Sequence, residues 1–312
     1  MLTGPLAHVK WFTDPALHPT RYELLFSAPV LAAFAIALTA AAVASWIQHH
    51  VPEPRPLRAL ERFAEATPFA LRLHVGVALL WAAAAGLLFV PALQIARDGL
   101  GYAILGIEAL AGVLIGVGLF TRLAAALLVL LGVLAMVPFT FESILEQVHM
   151  LGIAAFFLLV GPGPLSLDRL RGARPRFQGG EVPAAALTLI RVAMGFGIAY
   201  SALTEKLLDP PLALALLGER PEVNVFRGIG VADPTLVYLA GLTELVIGIV
   251  ILSGQLTRPV IAIGAVIFTV TLVDFGWSEL LGHLPYYGIM FTLLIAPGPG
   301  SRRVREALRP AA

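Results

Sequence analysis

Runs of about 20 predominantly apolar residues recur along the whole 312-residue chain, which is the length an α-helix needs to cross a bilayer core about 30 Å thick. Hydrophobic residues make up 58% of the chain and charged residues 13%, against about 25% charged residues in a soluble domain. The sequence therefore predicts an all-α polytopic membrane protein whose first partner is the lipid bilayer.

The apolar runs divide into nine predicted transmembrane spans. A short "FTR" sequence at 120–122 interrupts the stretch 102–141, which is too long for a single crossing. The predicted spans cover 24–47, 70–93, 102–120, 122–141, 147–163, 184–205, 235–253, 257–275 and 280–296.

The distribution of basic residues predicts the orientation, since Lys and Arg accumulate in cytoplasmic loops. Placing the loop after the first span inside puts 15 of the 21 Lys and Arg residues in the cytoplasm and six outside. Arg122 and Arg258 are then expected at the inner surface, beside the end of the preceding helix and lipid phosphates. We expect a multi-pass protein of the cell (inner) membrane, with its N-terminus outside and its C-terminus in the cytoplasm.

An internal repeat joins the segments "GIEALAGVLIGVGLFTR" and "GLTELVIGIVILSGQLTR". Glu108 and Arg122 of the first segment recur as Glu244 and Arg258 of the second, each 136 residues later. The chain therefore reads as a tandem duplication of a four-span unit, preceded by one additional span.

The duplication predicts the domain organisation. Because each unit has an even number of crossings, the two units share one orientation, as two parallel four-helix bundles related by a twofold axis along the membrane normal. The predicted parts are an N-terminal transmembrane helix with an amphipathic cytoplasmic stretch (1–69), the first repeat (70–172), the second repeat (183–300) and a basic cytoplasmic tail (301–312).

Glu108 and Glu244 are the first candidates for function. Glu108 has glycines one and two turns after it on the same helix face, and Glu244 has a glycine one turn away on either side, so each carboxyl group is expected to point into the helix bundle. A carboxylate at bilayer depth costs about 2.5–3.5 kcal/mol and marks a functional site by default, whereas a structural hydrogen bond to a neighbouring helix is the alternative. For Glu244 we expect a contact with Lys206 or His283.

Two histidines and one lysine accompany these carboxyl groups. His149 and His283 each stand near the start of the last helix of a repeat, where a histidine is either solvated or functional. Lys206 ends the sixth span and either extends to the headgroups or meets a buried carboxylate. Four acidic residues in outer turns are expected to be solvated: Glu142, Glu146, Asp274 and Glu279.

Several segments resemble the DoxX family of four-helix membrane proteins, which includes the DoxD-type subunit of thiosulfate:quinone oxidoreductase. They are "YSALTEKLLDP", "VFRGIGVADPTLVYLAGLTELVIGIVILSGQLTR" and the histidine near the start of the last helix. The resemblance covers about residues 184–300, and the first repeat shares it without the Glu-Lys pair and the long outer loop. It implies a quinone-linked membrane role for Lys206, Glu244 and His283.

The leading hypothesis is therefore a membrane subunit that binds a quinone in the outer half of the second repeat. Lys206, Glu244, His283 and Tyr286 are the predicted quinone-binding residues, with Glu244 and His283 as the catalytic pair, since quinone chemistry needs groups that exchange protons. Glu108 and His149 are possible equivalents in the first repeat. The chain has no cysteine for an iron–sulfur cluster, so a membrane or extracytoplasmic redox partner is expected to supply electrons.

Other functions stay open from the sequence. The chain can be a non-catalytic anchor or assembly scaffold for a redox complex, or a proton-coupled carrier of small solutes. A haem held by His149 and His283 is a further possibility. No metal site and no nucleic-acid partner are predicted, and whether the chain is itself an enzyme remains open.

Overall fold

A computed structural model gives the structure of the protein over residues 8–173 and 182–296, without the side chains of 273 and 274. The described chain is helical apart from one isolated bridge between Leu87 and Gln94. Its α-helices are α1 (Ala28–His50), α2 (Arg55–Ala59), α3 (Thr67–Ala85), α4 (Gly99–Val117), α5 (Thr121–Leu134), α6 (Phe141–Leu145), α7 (Val148–Val160), α8 (Leu167–Leu170), α9 (Ala184–Ala202), α10 (Pro210–Glu219), α11 (Asp233–Ser253), α12 (Thr257–Phe275) and α13 (Trp277–Ile295).

Shorter helical segments connect these elements. A π-helical turn, Leu203–Leu207, continues α9. The 3-10 segments are Val9–Trp11, Pro15–Leu17, Tyr22–Phe26, Leu60–Ala66, Pro221–Val223 and Arg227–Ile229. No β-strand longer than the isolated bridge occurs in residues 8–173 or 182–296.

Helices long and apolar enough to cross a membrane confirm the coarse prediction of a helical membrane protein. Within residues 8–173 and 182–296, five segments meet both conditions by length and composition: Ala28–His50, Arg55–Ala85, Gly99–Val117, Ala184–Leu207 and Asp233–Ser253. Three shorter apolar helices accompany them at Thr121–Leu134, Val148–Val160 and Thr257–Leu272. Each of the nine predicted spans overlaps a helix, although only five of the segments satisfy both conditions.

The internal repeat is visible in the backbone of the two "TR" turns. Gly118 caps the end of α4 and Gly254 caps the end of α11, both with positive φ (68° and 76°), where glycine carries no steric penalty. Two residues later, Phe120 and Leu256 also take positive φ (47° and 44°) before α5 and α12 begin. Because equivalent residues lie 136 positions apart, the two repeats make the same turn.

The main helix contacts form a closed series that repeats with the duplication. From α3 they lead through α4, α5, α7, α9, α11, α12 and α13 back to α3. The pair α3–α4 corresponds to α9–α11, and α3–α13 corresponds to α9–α7, with nearly equal extents of packing. These eight helices are referred to below as the helix ring.

The helix ring modifies the prediction of two separate four-helix bundles. The first helix of each repeat packs mainly against its own second helix and against the last helix of the other repeat. The two repeats thus share one apolar core, in which Leu71 and Val75 of α3 join Ile289 and Leu293 of α13. α1 lies outside the ring against α11, as the sequence predicts for the additional span.

Glycines allow the first two helices of each repeat to approach closely. A Cβ atom at Gly76 would lie 2.7 Å from the Cα atom of Gly116 on α4. In the second repeat a Cβ atom at Gly195 would lie 2.8 Å from the carbonyl oxygen of Gly248 on α11. Small residues at both crossings bring the helix backbones into contact, which is a common way of packing helices in membranes.

One arginine in each repeat completes these crossings. The guanidinium of Arg72 is fully buried and donates to the carbonyl oxygens of Gly116, Pro164 and Leu165 at 2.9–3.3 Å. Its counterpart Arg191 donates to the carbonyl oxygens at the end of α11. Helix ends leave such carbonyl groups without intrahelical partners, so both arginines satisfy a helix C-terminus.

The arginines of the "TR" turns have other partners than the sequence predicts. Arg122 Nε donates to Leu158 O at 3.1 Å and Arg258 Nε donates to Leu294 O at 2.8 Å, in the last turns of α7 and α13. They therefore serve the final helix of each repeat rather than the preceding helix. Arg258 is 3% exposed and also binds Glu53 and Glu61, so protein carboxylates, not lipid phosphates, neutralise it.

Candidate functional site

Lys206 and Glu244 form a buried ion pair in the second repeat. Lys206 Nζ donates to Glu244 Oε2 at 2.8 Å, with the lysine side chain 2% exposed and the glutamate 22% exposed. The π-helical turn Leu203–Leu207 positions Lys206, and such turns are frequent at functional sites. The predicted contact of Glu244 with Lys206 is present, so the lysine does not extend to the headgroups.

His283 faces the same interior space from α13. Its Nδ1 atom lies 3.3 Å from Glu279 Oε1, one helical turn away, and Glu279 Oε1 accepts a hydrogen bond from Thr271 Oγ1 at 3.0 Å. Glu279 Oε2 and His283 Nε2 have no hydrogen-bond partner among the described residues. Two buried polar atoms are thereby left available to a water molecule or a ligand.

The prediction that Glu279 is solvated is wrong. Glu279 is fully buried because α13 already begins at Trp277, so Glu279 is a helical residue whose side chain points into the helix ring, while Trp277 stays exposed. Asp274 has its side chain outside the described part of the structure.

Tyr286 and His149 meet at the contact between the two repeats. Their ring centroids are 4.2 Å apart, and both side chains are buried. The Tyr286 hydroxyl and His149 Nε2 have no hydrogen-bond partner among the described residues. Gly197 of α9 leaves room for the hydroxyl, since a Cβ atom there would lie 2.7 Å from it.

The N-terminal segment, which the sequence analysis does not predict to be part of the site, reaches the same region. His8 Nδ1 lies 3.0 Å from Glu205 Oε1, and the amide nitrogen of Val9 donates to Glu205 Oε2 at 2.5 Å. The His8 ring stacks on Trp11 and its centroid lies 5.2 Å from that of His283. Glu205 is 1% exposed and therefore needs a partner. The one signal of this in the sequence is a glutamate beside Lys206 at the end of an apolar span.

A second polar cluster lies beside the first repeat. Lys10 Nζ donates to Glu142 Oε1 at 2.8 Å and to Glu146 Oε1 at 2.5 Å. Thr20 Oγ1 and the Tyr22 hydroxyl also donate to Glu142. Glu142 and Glu146 were expected to be solvated, but the N-terminal segment covers both of them, and Glu146 is 6% exposed.

These contacts shift the proton affinities of the N-terminal groups. Burial lowers the pKa of the His8 imidazole, but the Glu205 carboxylate outweighs burial, and the net pKa of His8 lies above its usual 6.5. Burial also opposes the charge on Lys10, yet Glu146, Glu205 and Glu142 hold the pKa of Lys10 above its usual range. Lys10 is therefore a cation near neutral pH, and His8 keeps its proton to a higher pH than a free imidazole does.

A cavity of about 40 Å³ joins the residues of the second repeat. His8, Lys206, Glu244, Glu279 and His283 line its polar part, and Ile247, Ile267 and Phe268 line its apolar part. It is partly open. α12, which contributes Ile267 and Phe268 to its lining, packs less extensively against α11 than α5 does against α4. A volume of this size holds about two or three water molecules.

The first repeat builds a different arrangement around its own glutamate. Glu108 Oε1 accepts a hydrogen bond of 2.8 Å from the amide nitrogen of Phe89, which lies in the loop between α3 and α4 with positive φ. Glu108 is fully buried, whereas Glu244 is 22% exposed beside the cavity. The two glutamates thus occupy equivalent positions but hold different partners.

Among residues 8–173 and 182–296, no group of three or more His, Asp or Glu side chains is placed to hold a metal ion. Comparisons of the chain with models of known protein families, with curated proteins and with solved structures gave no match.

Proposed function

We propose that the chain is a nine-span membrane protein whose second repeat binds the polar headgroup of a quinone-class ligand, with electrons supplied by a partner protein. The observation that carries this proposal is the ion pair of Lys206 and Glu244 at a partly open cavity that also holds His283 and Glu279. Buried ionisable groups inside a membrane helix ring are functional by default because they are costly to retain.

The chemistry of the lining residues suits a quinone. A quinone headgroup presents two carbonyl oxygens, which need hydrogen-bond donors, and its reduction takes up two electrons and two protons. Lys206 is a cationic donor, and His283 Nε2 and Glu279 Oε2 are buried without partners among the described residues. Phe268 and Ile267 offer the apolar surface that a ring and its lipid tail require.

The volume of the cavity sets a condition on this proposal. About 40 Å³ admits water but not a quinone ring, so α12 must move away from α11 when the ligand enters. The less extensive packing between these two helices supports such a movement. A ligand that enters from the lipid would pass the partly exposed side chains of Ile247 and Ile267.

The test measures binding of decylubiquinone to the purified protein in lipid nanodiscs. The readout is the quenching of tryptophan fluorescence as decylubiquinone is added. Trp11 stacks on His8 at the cavity and is the expected reporter, so Trp11→Phe should remove the saturable part of the signal. Glu244→Gln should weaken binding at least tenfold, because the ion pair with Lys206 is lost.

Glu108→Gln is the matched control, since Glu108 stands at the equivalent position and faces the loop at Phe89 rather than the cavity. Equal affinities of Glu244→Gln and Glu108→Gln for decylubiquinone, or absence of saturable quenching in the unmodified protein, would contradict the proposal.

A membrane scaffold without its own ligand is the second candidate. It is favoured by the small size of the cavity and by the apolar core that the two repeats share, both of which describe a rigid body. A protein that binds no quinone while Glu244→Leu lowers only its thermal stability would fit this second function.

A further inference from the structure

We propose that residues 8–26, called the strap below, form a removable closure over the cavity of the second repeat, and that His8 belongs to the cavity only while the strap is seated. This inference concerns access to the cavity and does not depend on the ligand that the cavity takes. Neither the duplication nor the resemblance to a known family points to it.

The strap is fastened to both repeats by buried polar contacts. At the second repeat, Glu205 accepts from the Val9 amide nitrogen and pairs with His8. At the first repeat, Lys10 donates to Glu142 and Glu146. Two neighbouring positions of the strap, His8 and Lys10, thus reach opposite repeats across the end of the helix ring.

Further contacts hold the rest of the strap in place. Thr20 and Tyr22 donate to Glu142, and the amide nitrogen of Arg21 donates to the carbonyl oxygen of Leu208 at 3.0 Å. The ring of Phe12 lies 4.6 Å from that of Phe275 at the end of α12. The strap therefore contacts the helix that must move if the cavity is to open.

A glycine on α13 fits the strap to the second repeat. A Cβ atom at Gly282 would lie 2.6 Å from the indole ring of Trp11, so any larger residue there collides with the strap. In the first repeat, the segment before the last helix instead carries Glu146, which binds Lys10. The strap thus packs on a glycine of the second repeat and is tethered to a carboxylate of the first.

Protonation of His8 controls one of the two fastenings. The charged groups that face His8 come from every helix packed around it, and the Glu205 carboxylate holds the His8 pKa above its usual value against the effect of burial. These neighbours are Glu205 and Lys206 of the π-helical turn, Glu244 of α11, Glu279 and His283 of α13, and His149 of α7. Loss of the proton on His8 at higher pH removes the positive charge that His8 places beside the Glu205 carboxylate, which weakens this fastening, so the strap opens more readily.

The test places a single cysteine in the cavity, which the absence of native cysteine makes possible. Ser201 lines the cavity, is 2% exposed and its hydroxyl has no hydrogen-bond partner among the described residues, so Ser201→Cys is a conservative reporter. Its reaction rate with a small cationic methanethiosulfonate is measured on the purified full chain. Glu222→Cys, at an exposed position, gives the rate for an open site and corrects for the pH dependence of the thiol.

Displacing the strap should raise the reaction rate of Ser201→Cys at least tenfold. Gly282→Leu does so by collision with Trp11, and Lys10→Met does so by removing the fastening to the first repeat. Gly106→Ala is the control for a helical glycine, because a Cβ atom there has no neighbour within 4 Å and should leave the rate unchanged. In the protein with the strap intact, the rate should rise further above pH 7 than it does for Glu222→Cys.

Two results would overturn the closure. One is a Ser201→Cys rate equal to that of Glu222→Cys while the strap is intact, since the cavity would then already be open. The other is an unchanged rate in both Gly282→Leu and Lys10→Met. Neither result depends on quinone, so failure of the strap proposal and failure of the proposed function can be told apart.

Discussion

Lys206 and Glu244 are joined by a hydrogen bond of 2.8 Å, whereas Glu108, which stands 136 positions before Glu244, accepts its hydrogen bond from the backbone at Phe89. The duplicated carboxyl group has therefore kept its place on the helix and changed its partner. In the first repeat it fixes a loop, and in the second it balances a buried cation beside a cavity.

Removing the lysine of the pair should destabilise the protein more than removing both partners. Lys206→Met leaves Glu244 without its cation, and breaking a buried pair in this way costs about 3–5 kcal/mol. The double variant Lys206→Met/Glu244→Leu leaves no unpaired charge and should recover at least half of the loss. Thermal unfolding of the four proteins of the double-mutant cycle in one detergent measures the coupling. Additive losses would mean that the pair contributes nothing as a unit.

Two glycines of the first repeat, one at a helix crossing and one facing open space, should respond in opposite ways to substitution by alanine. Gly76→Ala places a methyl group 2.7 Å from Gly116 Cα and should destabilise the protein by about 1–3 kcal/mol, as overpacking does. Gly106→Ala meets open space and should stabilise its helix by up to about 1 kcal/mol. Thermal unfolding of both variants under the same conditions checks this, and equal shifts would contradict the close approach of α3 and α4.

The sequence predicts the repeated elements well because apolar runs and a constant residue offset can both be read directly from the order of the residues. Gly118 and Gly254 end equivalent helices, and Glu108 and Glu244 lie on equivalent faces, as the 136-residue spacing indicates. The cost of an unpaired charge among apolar helices predicts a contact of Glu244 with Lys206 or His283, and the structure shows the contact with Lys206.

Contacts made by the N-terminal segment cannot be predicted in this way. His8 and Glu205 are 197 positions apart, and no periodicity or repeat relates them. The burial of Glu279 likewise depends on where α13 begins, and helix boundaries are the least certain part of any sequence-based prediction. The packing of the first helix of each repeat against the last helix of the other repeat cannot be predicted either, since the same nine apolar runs are compatible with two separate bundles.

The buried arginine of the first repeat predicts a strong effect from a conservative change. Arg72 donates to three carbonyl oxygens on two different segments, an arrangement that the single ammonium of lysine cannot reproduce. Arg72→Lys should therefore cost about 1–3 kcal/mol for the hydrogen-bonding groups left unsatisfied. The measurement is the midpoint of thermal unfolding, with Arg169→Lys at an exposed position as the control. Equal midpoints for the two variants would show that the carbonyl contacts do not contribute.

The orientation predicted from basic residues is tested by labelling in intact cells. Arg171 and Glu222 are both exposed in the structure, so each can be replaced by a single cysteine. Arg171 lies in a segment predicted to be inside, and Glu222 lies in a segment predicted to be outside. Glu222→Cys should react with an impermeant maleimide, whereas Arg171→Cys should react only after the membrane is permeabilised. The reverse pattern would invert the topology. Arg174 and Arg176 belong to the same basic segment as Arg171 but lie outside the described residues.

Stability of the folded protein should fall as the pH rises through the titration of His8. The folded-state pKa of His8 is raised above 6.5 because the Glu205 carboxylate outweighs burial. A group with a raised folded-state pKa stabilises the fold fully below its unfolded pKa of about 6.5 and loses that contribution as the pH passes its folded pKa.

His8→Gln removes the titrating group while keeping a side chain that can hydrogen-bond to Glu205. The difference in unfolding free energy between the unmodified protein and His8→Gln should therefore be largest near pH 6 and shrink toward pH 9, by about 1.4 kcal/mol for each unit of pKa shift. Comparing the two proteins at each pH cancels the titration of the carboxyl groups that both contain. Lys10 stays charged throughout this range, because the pKa of its ammonium group is also raised, so the fastening at Glu142 and Glu146 does not contribute to the change. A difference that is constant from pH 6 to pH 9 would show that the His8 proton does not hold the strap.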